Sequence, residues 1–261
     1  MKIGKTRLDK LLVDRGLVVT RAKAQGLIMA GEVQVDGNVV TKAGTQISAD
    51  ALVTLDEPMP YVSRGGYKLA GALDEFDIDL TDRICADVGA CTGGFSDVML
   101  QHGARHVTAI DVGYGQLAWK IRQDDRVTVL ERTNARYLEA LALPVNFVAV
   151  DVSFISLKTI LAAVKAWLQP EFDIVALIKP QFEAGKANVG KGGIVRDPAV
   201  HRAVLEDIAN WCEASGLAPC GLTRSSITGS GGNIEFLIWL RAESHSEFDV
   251  WQAIEALSAD E

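Results

Sequence analysis

The sequence predicts an α/β protein: a doubly wound, mainly parallel sheet preceded by a small basic α+β domain. Three observations predict it. Beyond Arg83, short β-rich apolar runs alternate with helical stretches, the pattern of a parallel sheet with crossover helices. A glycine-rich turn, DVGACTGGF (87–95), follows the first of those runs. The first 48 residues carry eight basic and four acidic side chains, net +4, in a chain of net −8, so the rest carries −12. Such asymmetry is a sign of a nucleic-acid-binding module.

The 261 residues suffice for a large domain plus a small one, and 48% hydrophobic content supports a core. No apolar run nears the roughly 18 residues of a membrane span. The opening MKIGKTRLDK lacks the apolar stretch of a secretory signal. Cys85, Cys91, Cys212 and Cys220 form no CxxC pair, so no metal site is expected, and reduced thiols in a cytoplasmic protein are.

In the first domain, Thr6 is placed to cap a helix with Leu8, Leu11 and Leu12 inward, ending near Gly16. Thr20 is placed to cap a second, with Ala24, Leu27 and Ile28 inward, stopping at Gly31. Val33 and Val35 then alternate with polar residues, Asp36-Gly37 signals a hairpin, and Val39 resumes a strand. The basic side chains Arg7, Lys10, Arg15, Arg21 and Lys23 cluster on the helices. Asp56-Glu57-Pro58-Met59-Pro60 reads as a linker, which sets the domains at 1–60 and 61–261.

The predicted strands of the large domain are 84–89, 106–112, 127–131, 147–152, 174–179 and 235–240. Asp197 and Pro198 open a long helix. Ligands of such sheets lie beyond the carboxyl ends of the strands. There the first strand runs into Asp87, Gly89, Gly93, Gly94 and Phe95, whose glycines permit close backbone approach to a ligand. The second strand ends in Asp111, which suits a ribose diol.

Four further residues stand at this edge or just before the first strand. Lys68 lies in SRGGYKLAGAL, Asp151 in VAVDVSFIS, Lys179 in LIKPQFE and Glu235 in GSGGNIEFLIW. Each alone reads as a solvated strand terminus; together they could serve transfer to a hydroxyl, a weak nucleophile that needs in-line placement and help removing a proton. A lysine, with a reference pKa of about 10.4, can supply that help when burial or a neighbouring cation lowers it. Lys179 would take or polarise the proton, Asp151 would orient it, and Lys68 and Glu235 would complete the charge network.

GKANVGKG (185–192) approaches the phosphate-binding pattern G-x-x-x-x-G-K-[ST], but Gly192 replaces the hydroxyl residue and no helix follows directly. ATP hydrolysis is therefore rejected. Lys186, Lys191 and Arg196 suit a flap that grips RNA over the site.

The string TRLDKLLVDRGLVVTRAKAQGLIMAGEVQVDG resembles the small helix–hairpin RNA-binding domain shared by a small-subunit ribosomal protein and many pseudouridine synthases. DVGACTGGF resembles the first motif of S-adenosylmethionine-dependent methyltransferases; where that pattern commonly has an acid after the third strand, touching the adenine, this chain has Asn134 in ERTNAR, whose amide can still hydrogen-bond an adenine edge. Lys68, Asp151, Lys179 and Glu235, in that order, match the tetrad of FtsJ-like ribose 2′-O-methyltransferases. Together with VSRGGYKL, which contains Arg64, and IDVGYGQLAW, ERTNAR, GKGGIVRDP and GNIEFLIWL, these strings resemble the TlyA family, whose members carry both hemolysin and ribosomal-RNA methyltransferase names.

The resemblance implies a seven-stranded Rossmann-like sheet, S-adenosylmethionine as cofactor, and cytidine 2′-O-methylation of ribosomal RNA, in the large subunit and in some members the small. Ribosomal RNA or ribosomal subunits are the expected partners, with Arg64 among the RNA contacts and no membrane. The competing readings are a membrane-active hemolysin, a methyltransferase for small molecules or proteins, and a non-catalytic ribosome assembly factor.

Overall fold

The computed structural model describes residues 4–55, 59–242 and 248–259. The chain divides into two compact units, Met1–Pro60 and Tyr61–Glu261. Residues 56–58 of the expected linker lie outside the described residues.

The first unit packs α1 (Leu8–Asp14) and α2 (Arg21–Ala30) over two small sheets. One sheet pairs β1 (Lys5–Arg7) with β4 (Gln46–Ser48). The other joins β3 (Asn38–Val39), β2 (Val33–Val35) and β5 (Val53–Leu55). Leu8, Leu12, Ala24, Ile28 and Val33 are fully buried. Thr20 caps α2 by accepting from Lys23 N, and Gly31 ends it at φ 81°. Asp36 and Gly37 both take positive φ, as a tight two-residue hairpin turn requires. Thr6 does not cap α1. It lies within β1, opposite Ile47, and Arg7 occupies the cap position without a side-chain hydrogen bond.

The second unit is a seven-stranded sheet in the order β11-β12-β10-β9-β6-β7-β8. Its strands are β6 (Ile84–Val88), β7 (His106–Ile110), β8 (Val127–Leu130), β9 (Val145–Val150), β10 (Leu168–Ile178), β11 (Leu217–Arg224) and β12 (Phe236–Ala242). β8, β7, β6, β9 and β10 run parallel, and β12 runs antiparallel to both its neighbours. Alternation along each strand feeds two cores. Val148, Val150, Ile174 and Ala176 face α6 (Leu157–Val164), α8 (Pro198–Ala214) and α9 (Val250–Ala259). Phe147, Ala149, Val175 and Leu177 face α3 (Gly65–Phe76), α4 (Gly94–Gln101) and α5 (Trp119–Arg122).

β11 has no counterpart among the predicted strands. Its sequence, LAPCGLTR, carries Pro219 and Gly221, and the register shifts between them. A sheet edge tolerates such breaks, and there they erase the alternation that marks a strand. No helix among the described residues is long and apolar enough to cross a membrane.

Candidate active site

The chain leaves β6 toward β7 on one side and returns to β9 on the other, so the carboxyl ends of β6 and β9 flank a switch point. Val88 pairs with Val150 there, and Asp151 N donates to Val88 O at 2.9 Å. β10 ends at Ile178, directly opposite Phe236 at the start of antiparallel β12. One edge therefore collects Gly89, Asp151, Lys179 and Glu235, although Glu235 precedes its strand and the others follow theirs.

The four predicted catalytic residues form two ion pairs. Lys179 Nζ lies 2.5 Å from Asp151 Oδ1 and donates to Ser153 Oγ at 3.0 Å. Lys68 Nζ, from α3, lies 2.5 Å from Glu235 Oε2. The second pair is deeply buried, with side-chain exposures of 10% and 2%. Gln181, two residues past Lys179, donates to Glu235 Oε1 at 3.1 Å and so links the two pairs. Ser153 and Gln181 were not singled out in the sequence. Their only signal is the i+2 spacing from Asp151 and Lys179.

A cavity of about 430 Å³ opens beside this edge, lined in part by Gly89, Asp111, Asn134, Asp151 and Phe154. A smaller one of about 190 Å³ shares Gly89, Cys91 and Asp151 with it and adds Asp87, Gly94 and Phe95. That common wall sets the two side by side in one cleft. A Cβ on Gly89 would stand 2.2 Å from the Asp151 carbonyl oxygen, and φ is +89°. Only glycine permits this approach.

Asp111 accepts from Cys91 N at 2.7 Å and Gly113 N at 2.6 Å, which fixes its carboxylate at the cavity wall. Asn134 lines the cavity while its side-chain oxygen accepts from Arg136 N. Gly93 starts α4 at φ +91°, packed against Leu117 and Ile121. Phe95 is 4% exposed and belongs chiefly to the core.

Asp87 is buried. Its Oδ2 accepts from both Ser96 N and Ser96 Oγ, whereas Oδ1 has no partner. Burial pushes this carboxyl up to about 7, against the pull of the Ser96 hydrogen bonds, and the Asp151 and Asp111 charges add to the rise. Phe154 takes φ 63°, is 90% exposed, and packs tilted on Phe182 with centroids 4.8 Å apart.

Lys186, Lys191 and Arg196 are exposed on the loop between α7 (Pro180–Glu183) and α8. Asn233 ties that loop down: it accepts from Val195 N at 3.0 Å and donates to Gly193 O at 2.9 Å. The loop base is thereby fastened to the turn that leads into Glu235. Arg64 is exposed at the start of α3.

In the first unit, three of the five predicted RNA-binding basic residues also hold the fold. Arg7 and Arg21 both bond the fully buried Asp9, and Arg15 donates to Ala49 O and Ala51 O. Lys10 and Lys23 are exposed. The Arg7 guanidinium, ahead of Gln25 and Arg21, holds the Asp9 carboxyl well below the usual range despite its burial.

Comparison with known proteins bears on the whole chain. Residues 61–242 match the FtsJ-like methyltransferase family, and residues 6–53 match the S4 domain. YqxC of Bacillus subtilis is 52% identical over 241 residues, covering 90% of this chain and 85% of that one. The 16S/23S rRNA (cytidine-2′-O)-methyltransferase TlyA of Mycobacterium tuberculosis is 46% identical over 244 residues, 92% of this chain and 91% of that one. A hemolysin-titled structure from Streptococcus thermophilus is 43% identical with a TM-score of 0.77, covering 99% and 96%. This chain belongs to the TlyA family, an S4 domain joined to an FtsJ-like methyltransferase domain.

Proposed function

We propose that this protein transfers a methyl group from S-adenosylmethionine to the 2′-hydroxyl of a cytidine in ribosomal RNA. Large-subunit RNA is the first candidate substrate and small-subunit RNA the second. The observation that carries the reading is the Lys179–Asp151 ion pair at the strand edge beside the cleft.

The cleft fits the cofactor. The unpartnered Asp87 Oδ1 beside the smaller cavity suits an ammonium group. Asp111 at the larger cavity suits a ribose diol, and Asn134 an adenine edge. Gly89, without a Cβ, lets the Asp151 carbonyl close in at the wall that the two cavities share. When bound, S-adenosylmethionine supplies a sulfonium-activated methyl group.

The remaining work is placement and proton removal. Lys179 has two of its three hydrogen-bonding directions committed, to Asp151 and Ser153. The third is left for the ribose hydroxyl, whose proton the neutral Lys179 amine would take or polarise as the O–C bond forms, the methyl–sulfur bond breaks and a neutral thioether departs. Asp151 holds the lysine in line. Lys68 and Glu235 act through Gln181 to fix the Lys179-Pro180-Gln181 segment. Phe154, exposed and packed on Phe182, whose ring centroid lies 5.9 Å from Lys179 Nζ, would offer a ring face to a base turned out of its stack. Lys10 and Lys23 on the first unit, and Arg64, Lys186, Lys191 and Arg196 on the second, supply phosphate contacts. A ribosomal substrate implies action in the cytoplasm.

The test is transfer of labelled methyl to unmodified small and large ribosomal subunits assayed separately, with Lys179→Ala alongside. Label at one ribose, resistant to alkaline cleavage and lost in the variant, is expected. Cofactor binding with no transfer to either subunit would refute the ribosomal substrate, and absence of cofactor binding would refute the enzyme.

A further inference from the structure

Lys179 leads directly into α7, a single helical turn with Pro180 at its first position. Proline fixes the backbone φ where the chain leaves β10. Phe182 N donates to Lys179 O and Ala184 N to Pro180 O, both at 2.9 Å, which closes the turn. Gln181 then reaches Glu235, whereas Phe182 and Glu183 reach the loop 151–156 between β9 and α6.

Glu183 holds the far end of that loop with both carboxylate oxygens. Oε2 accepts from Ser156 Oγ at 2.8 Å and Oε1 from Leu157 N at 2.7 Å. Ser156 occupies the N-cap position of α6 but makes no side-chain cap bond to its own helix. A first-turn amide of α6 is satisfied from a different element instead. The near end of the loop is fixed by Asp151 N donating to Val88 O. Between the two anchors lie Asp151 and Ser153, both partners of Lys179. Lys179 and Glu183 thus bracket one turn, and the groups they bind bracket one loop. Glu183 itself lines neither cavity.

We propose that Glu183 is a positioning residue for methyl transfer: it clamps the loop that carries Asp151 to the turn that carries Lys179, and so sets the geometry of that ion pair. It acts through the two segments and not on the reacting atoms. The proposal rests on the reading of Lys179 and Asp151 as the pair that serves transfer. The competing account is a plain cap on α6, which would matter to stability alone. The two accounts differ in what a cap supplied locally can restore.

The test uses the full chain, labelled S-adenosylmethionine at saturation and ribosomal subunits under single-turnover conditions. Glu183→Ala should slow transfer by about 10²-fold, the scale of a misplacement of about 1 Å. It should also lower the unfolding midpoint by about 2–4 °C, as loss of a cap does. Ser156→Asp added to Glu183→Ala gives α6 a local cap without restoring the link to α7. That double variant should unfold near the wild-type temperature and still transfer slowly. Hydrogen exchange across residues 151–155 should be faster than wild type in both variants.

Wild-type transfer in Glu183→Ala, or transfer restored together with stability in the double variant, would overturn the clamp. Exchange across 151–155 at the wild-type rate would do the same. Exchange is read without methyl transfer, so it separates this proposal from the one it rests on. Faster exchange in variants of a chain inert on both ribosomal subunits supports the clamp and sinks the proposed reaction alone.

Discussion

Lys179 and Asp151 follow neighbouring parallel strands, and their side chains meet at 2.5 Å where both strands end. The sheet itself sets this meeting, since β9 and β10 place their carboxyl ends on one edge. Glu235 reaches the same edge from the opposite chain direction, because β12 is the antiparallel strand.

Lys179→Ala should therefore lower methyl transfer by about 10²–10⁴ while cofactor affinity stays near wild type. Asp151→Asn keeps a hydrogen-bonding group in place and should fall less far. Single-turnover rates beside calorimetric cofactor titrations check both. Equal losses in rate and cofactor affinity would mean that Lys179 shapes the cofactor site instead.

The Lys68–Glu235 pair is buried, so its parts behave differently from the whole. Lys68→Met leaves the Glu235 carboxylate buried with Gln181 as its remaining partner, at a cost of about 3–5 kcal/mol. Lys68→Met with Glu235→Met removes both charges and should recover most of that stability. Transfer should remain lost in the double variant, because the segment carrying Lys179 has then lost its tether through Gln181. Denaturant unfolding beside transfer rates separates the two effects.

Asp87 predicts a pH dependence with a definite sign. Its folded-state pKa is pushed up to about 7, above the ordinary carboxylate value of about 3.9. Between those values the folded chain keeps a proton that the unfolded chain has lost. The contribution of this group to stability therefore declines as pH rises through that window, and levels off above about 7. Asp87→Asn should abolish that component and make the cofactor-free protein more stable than wild type near pH 8. Cofactor binding should run the other way. It should strengthen in the wild type from about pH 6 to 7.5 as Asp87 ionises, then weaken as the ligand's amino group loses its proton near the reference 7.7–8.0. The asparagine variant should bind weakly with a flatter profile.

The strand ends were legible because buried parallel strands read as apolar runs that stop at Asp87, Asp151 and Lys179. The glycine-rich turn was legible for a steric reason visible at Gly89. The ion pairs were not. Lys68 and Glu235 stand 167 residues apart, and nothing local to either reports the other. β11 was hidden by Pro219 and Gly221. In the first unit the basic residues read as one surface stripe, because no periodicity marks Asp9 as buried. The structure divides that stripe into residues bound to the fold and residues left to solvent.

That division gives the last prediction. Lys10 and Lys23 are exposed, so Lys10→Ala with Lys23→Ala should leave stability unchanged and reduce the salt slope of duplex-RNA binding by about 2. Arg15 donates to Ala49 O and Ala51 O, so Arg15→Ala should cost about 1 kcal/mol and accelerate hydrogen exchange in residues 8–28. Asp9→Asn should do more, since Arg7, Arg21 and Gln25 all converge on that carboxylate. The Asp9 carboxyl is held below its unfolded value, so its stabilisation is complete above about pH 5 and is lost as the pH falls below about 4. Hydrogen exchange in residues 8–28 of the full chain, compared at neutral and acid pH, should show protection falling with pH in the wild type and already low in Asp9→Asn. Protection equal to wild type in the variant would mean that Arg7 and Arg21 are held by solvent as well as by Asp9, and would return both to the set of residues available to RNA.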